Sequence, residues 1–268
     1  MKSKSEMLKY CSNWYQTLSG KAALKRVDDI CTDIMTEIFG YYAIQIGALS
    51  GEHDLLHSSR IAADFSIVSD KSVLELQDTQ AKNNKKPKTS LISSIEQLPV
   101  ATDNIDLVVA SHVLELSEDP HQVLREIDRV LVPEGHCILI GFNPFSVSRL
   151  ARLIRSGFAR KNNVYMMRSV PRVRDWFSLL GFEVLDVHYM GMRLGTNNKK
   201  LFERLRWLER WGGLAAPFLG NMYLFHVKKQ VVAMRPHKPI WEAPAVLIGG
   251  KVVLNRTAQK IRRQNYSN

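Results

Sequence analysis

The run IDLVVAS, residues 105–111, and the run HCILIGF, 136–142, constrain this chain more than any other feature. Both are apolar at nearly every position, so a strand built from either must be covered on two faces. Between them, DPHQVLREIDRVLVPEG opens on an acid and a proline, a helix start, and closes on Pro133 and Gly135. Its Val123, Leu124, Ile127, Val130 and Leu131 recur on one face of a helix. Strand, helix and strand in that order predict a parallel sheet with helices on both sides.

The rest of the chain extends the alternation. GKAALKRVDDICTDIMTEIFG, 20–40, has apolar residues at helical spacing between two glycines. Tyr41 to Ile46 reads as a buried strand, RIAADF (60–65) as a second and SLISSI (90–95) as a third. TQAKNNKKPKT, 79–89, is polar and basic without apolar period, which predicts a surface loop. VPRVRDWFSLLGFEVLDVHYM gives a helix stopped at Gly181 and a strand from Glu183, and NMYLFHVKKQ (221–230) a last strand. Beyond residue 235, prolines at 236, 239 and 244 and a closing KIRRQ predict a basic, poorly packed tail that orders on a partner.

At 268 residues, 45% apolar and 24% charged, the chain can bury a full core. It has no run of about 18 uncharged apolar residues, so no transmembrane helix is expected. MKSKSEMLKYCSNW lacks the apolar segment of a secretory signal. Three scattered cysteines without a CxxC pair predict thiols in a reducing cytoplasm and no metal site. The net charge of +11 is divided unevenly. Residues 1–144 hold 14 Lys+Arg against 20 Asp+Glu, and residues 145–268 hold 23 against 6. The basic half, which carries Trp207, Trp211 and Phe218, suits a nucleic acid or an anionic membrane surface; a solubilising surface is the plainer reading. RSGFARKN (155–162) and KKLFERLRWLERW (199–211) add cations interleaved with aromatics, as either a packed helix with a solvated face or a contact to RNA or phospholipid.

LPVATDNIDLVVAS, LREIDRVLVPEGHCILI, LLGFEV and YLFHVKK resemble, in order and spacing, the class I S-adenosylmethionine-dependent methyltransferases of the methyltransferase-11 type. FGYYAIQIGALS is similar to a gammaproteobacterial subgroup with the same Gly-x-Leu-Ser ending and an altered glycine loop. The resemblance spans roughly residues 38–230. It implies a Rossmann-like, seven-stranded α/β sheet with one strand reversed and the cofactor over the carboxyl ends of its first half. The expected organisation is an N-terminal helical segment (1–40), a methyltransferase-like domain (41–230) and a basic C-terminal extension (231–268).

The resemblance also assigns a site. Gln45, Gly47, Ala48, Leu49 and Gly51 stand where the family has an acid followed by three alternating glycines. The acid is an amide here and the middle glycine is Leu49, so a cofactor loop and a structural turn both satisfy the pattern. Asp64 is the candidate for the acid that ends strand two and holds the ribose. Ser94 replaces the acid that contacts the adenine, and Ile95 follows it. Ser111 and His112, after strand four, border the expected methyl group; His112 either takes a proton from the acceptor or only packs. Glu115 and Glu118 read as solvated helix residues. Asn143–Pro144 in GFNPFS resembles part of an adenine N6 methyltransferase motif, but it follows strand five and lacks the second proline, so a turn explains it better.

The function implied is transfer of a methyl group from S-adenosylmethionine, in the cytoplasm, to an acceptor whose identity the sequence leaves open. The basic half favours an anionic acceptor such as RNA. The alternative is a methyltransferase-like binding module without catalysis, holding a nucleic acid or a protein through that half. A membrane-surface enzyme acting on a lipid or quinone-like acceptor is a third reading.

Overall fold

Strand β4 (Ile105–Ser111) is buried at every residue but Asp106, as its unbroken apolar run requires. It pairs in parallel with β1 (Tyr42–Gly47), from Ala43 beside Leu107 to Gly47 beside Ser111. In this computed structural model, residues 2–50, 53–68, 90–146, 167–191, 220–230, 247–248 and 251–252 are described. Strands β2 (Ala63–Val68) and β3 (Ser90–Ile92) continue the sheet in parallel on one side. On the other side come β5 (Leu131–Phe142), parallel to β4, then β7 (Met222–Lys229) and β6 (Phe182–Met190). The order is β3-β2-β1-β4-β5-β7-β6, and β7 runs antiparallel to both its neighbours. The sheet is the seven-stranded, one-reversed arrangement expected of the class I methyltransferase fold.

Helices follow from local chemistry. After α3 (Val113–Leu116), α4 (Pro120–Val130) begins where the Asp119 side chain accepts from the His121 and Gln122 N–H groups at 3.0 and 3.2 Å. Val123, Leu124, Ile127 and Val130 of α4 are fully buried, the face read from their spacing. Helix α5 (Val170–Leu179) packs Phe177 against Phe182 of β6 and Phe225 of β7.

Strand β5 starts at Leu131 rather than 136 and β3 ends at Ile92 rather than 95, and other features differ further from the sequence reading. The N-terminal region holds two helices, α1 (Lys2–Gln16) and α2 (Leu18–Met35), separated at Thr17, whose Oγ1 accepts from the Gly20 N–H at 3.0 Å. Helix α1 escapes a reading from its polar opening, yet Met7, Cys11 and Tyr15, four residues apart, bury one stripe. Strand β2 starts three residues later than RIAADF suggests: Ala63 and Asp64 are exposed, and the buried part is Ser66–Val68. Glu115, read as a solvated residue, is fully buried on α3, whereas Glu118 is exposed.

Chain contacts divide the molecule into units Met1–Val231 and Val232–Asn268. In the second, β8 (Leu247–Ile248) and β9 (Lys251–Val252) form a short antiparallel pair. The 79–89 loop, the basic stretches 155–162 and 199–211, and most of the tail lie outside the described residues.

Candidate functional site at the carboxyl end of the sheet

At the carboxyl ends of β1 and β4 the two strands come unusually close. Gly47 has φ +102°, and a Cβ there would overlap the carbonyl oxygen of Ser111. That carbonyl accepts from the Ala48 N–H at 2.8 Å. The Ser111 hydroxyl is used on the same loop: it donates to the Ile46 carbonyl at 3.1 Å and accepts from the Leu49 N–H at 3.0 Å. Glycine is thus required at position 47 by strand packing, before any ligand is considered.

Gln45 has an equally local task. Its Nε2 donates to the His53 carbonyl at 2.7 Å, and its Oε1 accepts from the Leu55 N–H at 3.0 Å. One donor and one acceptor are needed, and an amide supplies both. A carboxylate at position 45 would set an anionic oxygen against the His53 carbonyl. The loop so held makes a turn over 55–58, and no helix lies between β1 and β2 among the described residues. Leu49 is buried beneath it, and Ala48 is half-buried. Gly51 lies outside the described residues.

The other candidates fall in different places. Asp64 pairs with Ala43, at the amino end of β1 and β2, and is exposed. It stands at the wrong end of the sheet to meet a ligand beside Gly47. The cause is the late start of β2, which runs on to Val68 and is followed in the sequence by Ser69 and Asp70. Ile95 is fully buried in the core. Ser94 is exposed and donates to Glu96 Oε2, while Ser117 donates to Glu96 Oε1 at 2.8 Å. Burial would raise the Glu96 carboxyl, but the hydrogen bonds from Ser94 and Ser117 and the charge of Lys4, 3.9 Å away, outweigh it and hold the group below its ordinary range. Glu96 is a carboxylate that comparison with the family pattern overlooks, because it sits two residues past the acidic position. Its signal is the acid immediately before Gln97-Leu98-Pro99.

His112 joins β4 to α3 with a left-handed backbone, φ +54°. It is fully buried, stacked on Phe142 at 4.2 Å between ring centroids. Its Nε2 is 2.6 Å from the Tyr15 hydroxyl on α1. Its Nδ1 lies 3.6 Å from Glu115 Oε1 and has no hydrogen-bond partner among the described residues. Glu115 Oε1 accepts from the Phe142 N–H at 2.6 Å, leaving Oε2 without a partner. The Tyr223 hydroxyl, packed over Gly141 where a Cβ would collide with it, is likewise unsatisfied. Burial pushes the Tyr15 and Tyr223 phenols well above their ordinary range, and the Glu115 charge adds to both. The end of the sheet that usually receives ligands therefore holds a buried polar group, Tyr15–His112–Glu115–Tyr223, with acceptors and donors left over.

S-adenosylmethionine can be tested against these residues. The left-handed turn at Gly47 stands where the resemblance puts the first cofactor loop. The side chains do not offer it a place in this conformation. Gln45 and Ser111 are spent within the chain, and Leu49 and His112 are shut from solvent. Helix α1 covers the same region through Tyr15.

Comparison with known proteins gives the context. Residues 46–139 match the methyltransferase-11 family, described as a methyltransferase domain. YafS of Escherichia coli (strain K12), a protein of uncharacterised function, is 28% identical over 226 residues, 82% of each chain. A tRNA U34 carboxymethyltransferase of Syntrophotalea carbinolica is 28% identical over 89 residues, 33% of this chain and 28% of that one. The structure of an S-adenosylmethionine-dependent methyltransferase of Thermotoga maritima superposes with a TM-score of 0.56 at 16% identity, covering 85% of this chain and 98% of that one. At that identity the likeness speaks for the fold. No helix among the described residues is long and apolar enough to cross a membrane.

Proposed function

We propose that this chain, which carries a methyltransferase domain on the class I methyltransferase fold and whose implied cofactor is S-adenosylmethionine, transfers a methyl group to an anionic acceptor, RNA being the one its charge favours. The observation that carries the reading is the turn at Gly47. Its left-handed backbone, tied to Ser111, keeps the first loop of the cofactor fold within the matched domain. The cofactor, when bound, supplies an activated methyl group on a sulfonium.

The chain's own residues supply placement. Gln45 and Ser111 fix the loop path. Glu96, kept anionic between Ser94 and Ser117, offers negative charge in the loop after β3, where the family holds the adenine. On this reading His112 would hold a proton at the acceptor side. Alignment of donor and acceptor would then provide most of the acceleration. For the acceptor, the 23 Lys+Arg against 6 Asp+Glu in residues 145–268 favour polyanion binding in the cytoplasm, and the tRNA enzyme among the relatives points the same way.

The closed arrangement of the site favours a second reading, a methyltransferase-like module that binds a nucleic acid or protein without catalysis. Titration calorimetry with S-adenosylmethionine and S-adenosylhomocysteine separates the two. Heat from either ligand with one site per chain is the expected result, and silence at millimolar ligand leaves the binding module. RNA binding should weaken steeply with added salt; salt-indifferent binding would remove RNA as acceptor.

A further inference from the structure

We infer that α1 is a gate whose docked position, the one seen here, competes with the cofactor for the carboxyl end of the sheet. This inference rests on the methyltransferase reading and concerns the regulation of that same site. Helix α1 is fastened at both of its ends. At one end Lys4 lies 3.9 Å from Glu96, the carboxylate in the loop after β3. At the other end Tyr15 meets His112, the residue after β4, and its hydroxyl lies 3.7 Å from the sulfur of Met222 at the start of β7. Between these points Tyr10 and Trp14 stand edge-on to Phe142, the last residue of β5, at 5.7 and 5.2 Å. One helix thus touches the β3 loop and the ends of β4, β5 and β7, and of these the β3 loop and β4 belong to the half of the sheet over which the cofactor is expected. Tyr15 also faces His53 of the loop after β1, at 6.5 Å between rings.

The fastenings are of a kind that can be undone. Lys4–Glu96 is a partly exposed ion pair near the limit of contact distance. The Tyr15 hydroxyl bond to His112 is the polar contact at the centre, and the site beneath keeps His112 Nδ1, Glu115 Oε2 and Tyr223 OH without hydrogen-bond partners among the described residues. Unspent hydrogen-bonding groups under the helix mean that the docked state leaves polar groups unsatisfied which water or a ligand could satisfy once α1 lifts. Only a ligand that binds the lifted state better can shift the balance.

Cys11 gives a direct reading of this motion. It lies on the buried face of α1, one turn before Tyr15, whereas Cys31 lies buried on α2 and Cys137 on β5. Burial pushes the Cys31 thiol up to about 12 and the Cys137 thiol higher still, so both stay inert until their surroundings open. The experiment labels the full chain with a thiol reagent under native conditions and follows the three sites by peptide mass spectrometry, with and without S-adenosylhomocysteine. Cys11 should react well ahead of Cys31 and Cys137, and the ligand should speed it further. Tyr15→Phe should speed Cys11 alone about fivefold, the scale of one hydrogen bond, and tighten S-adenosylhomocysteine in calorimetry by a similar factor. Lys4→Ala, which leaves the core untouched, should do the same to a smaller extent. One common rate for all three cysteines would overturn the gate, as would ligand binding that slows Cys11 or that is equal in the wild type and both variants; each leaves the methyltransferase reading standing. Absence of heat in every protein would overturn the methyltransferase reading and the gate with it.

Discussion

The two ends of the sheet are built on opposite principles. At the amino end, charges face one another in partial contact with solvent. Asp106 accepts from the N–H groups of Tyr41 and Tyr42 at 2.7 and 2.9 Å. Lys229 donates to Asp103 and to the carbonyls of Asp128 and Leu131. At the carboxyl end, Gln45, Ser111, His112 and Glu115 are buried, and His112 Nδ1 and Glu115 Oε2 have no hydrogen-bond partner among the described residues while α1 lies over them. The amino end is finished as a structure, with its polar groups matched. The carboxyl end carries polar cost that folding alone does not explain, which is the usual mark of a site.

The largest effect is expected at Gly47. Gly47→Ala places a Cβ on the Ser111 carbonyl and forces a side chain into a left-handed backbone, so a loss of roughly 2–4 kcal/mol is expected in urea denaturation. A variant as stable as the wild type would show that β1 and β4 do not approach as described.

The next effect in size lies at Glu115. Glu115→Leu strands the Phe142 N–H and should cost about 1–3 kcal/mol, while Glu115→Gln keeps an acceptor for that group and should cost less. If the two variants were equally unstable, the carboxylate charge rather than the hydrogen bond would be the important part.

The smallest effect lies toward the amino end, at the stacked pair His136–His226, whose Nδ1 and Nε2 are 2.9 Å apart. Burial first, and then the charge of His136, push His226 down to about 4, with Asp186 opposing and His188 adding. Burial and Lys228 lower His136 as well, against Glu134. Because the folded state binds these protons less readily than the unfolded chain, stability is present above the ordinary histidine range and is lost as pH falls from about 6.5 toward 4. His226→Gln should flatten that slope in denaturation midpoints measured across the window. An unchanged slope would assign the acid sensitivity elsewhere.

The fold was largely legible in the sequence because doubly buried strands leave unbroken apolar runs: 105–111 coincides with β4 residue for residue, and α4 shows its face in its spacing. What misled was burial that leaves no local period. RIAADF looks like a strand, yet its register is decided by β1, and the shift carried Asp64 to the far end of the sheet. Glu115 looks like a surface acid, yet the Phe142 N–H recruits it into the interior. Glu96 was overlooked because a family pattern fixes positions, whereas hydrogen bonds from Ser94 and Ser117 fix geometry.

By itself the sequence determined the alternation of strands and helices, the glycine at position 47 and the basic character of the C-terminal half. Those properties depend on neighbouring residues or on composition, and neighbouring residues are what a sequence records. Only the tertiary structure decided that Gln45 is an amide because it needs a donor and an acceptor at once, and that Tyr15 closes over His112 from 97 positions away. Both depend on atoms brought together by the sheet, and no local pattern carries that distance.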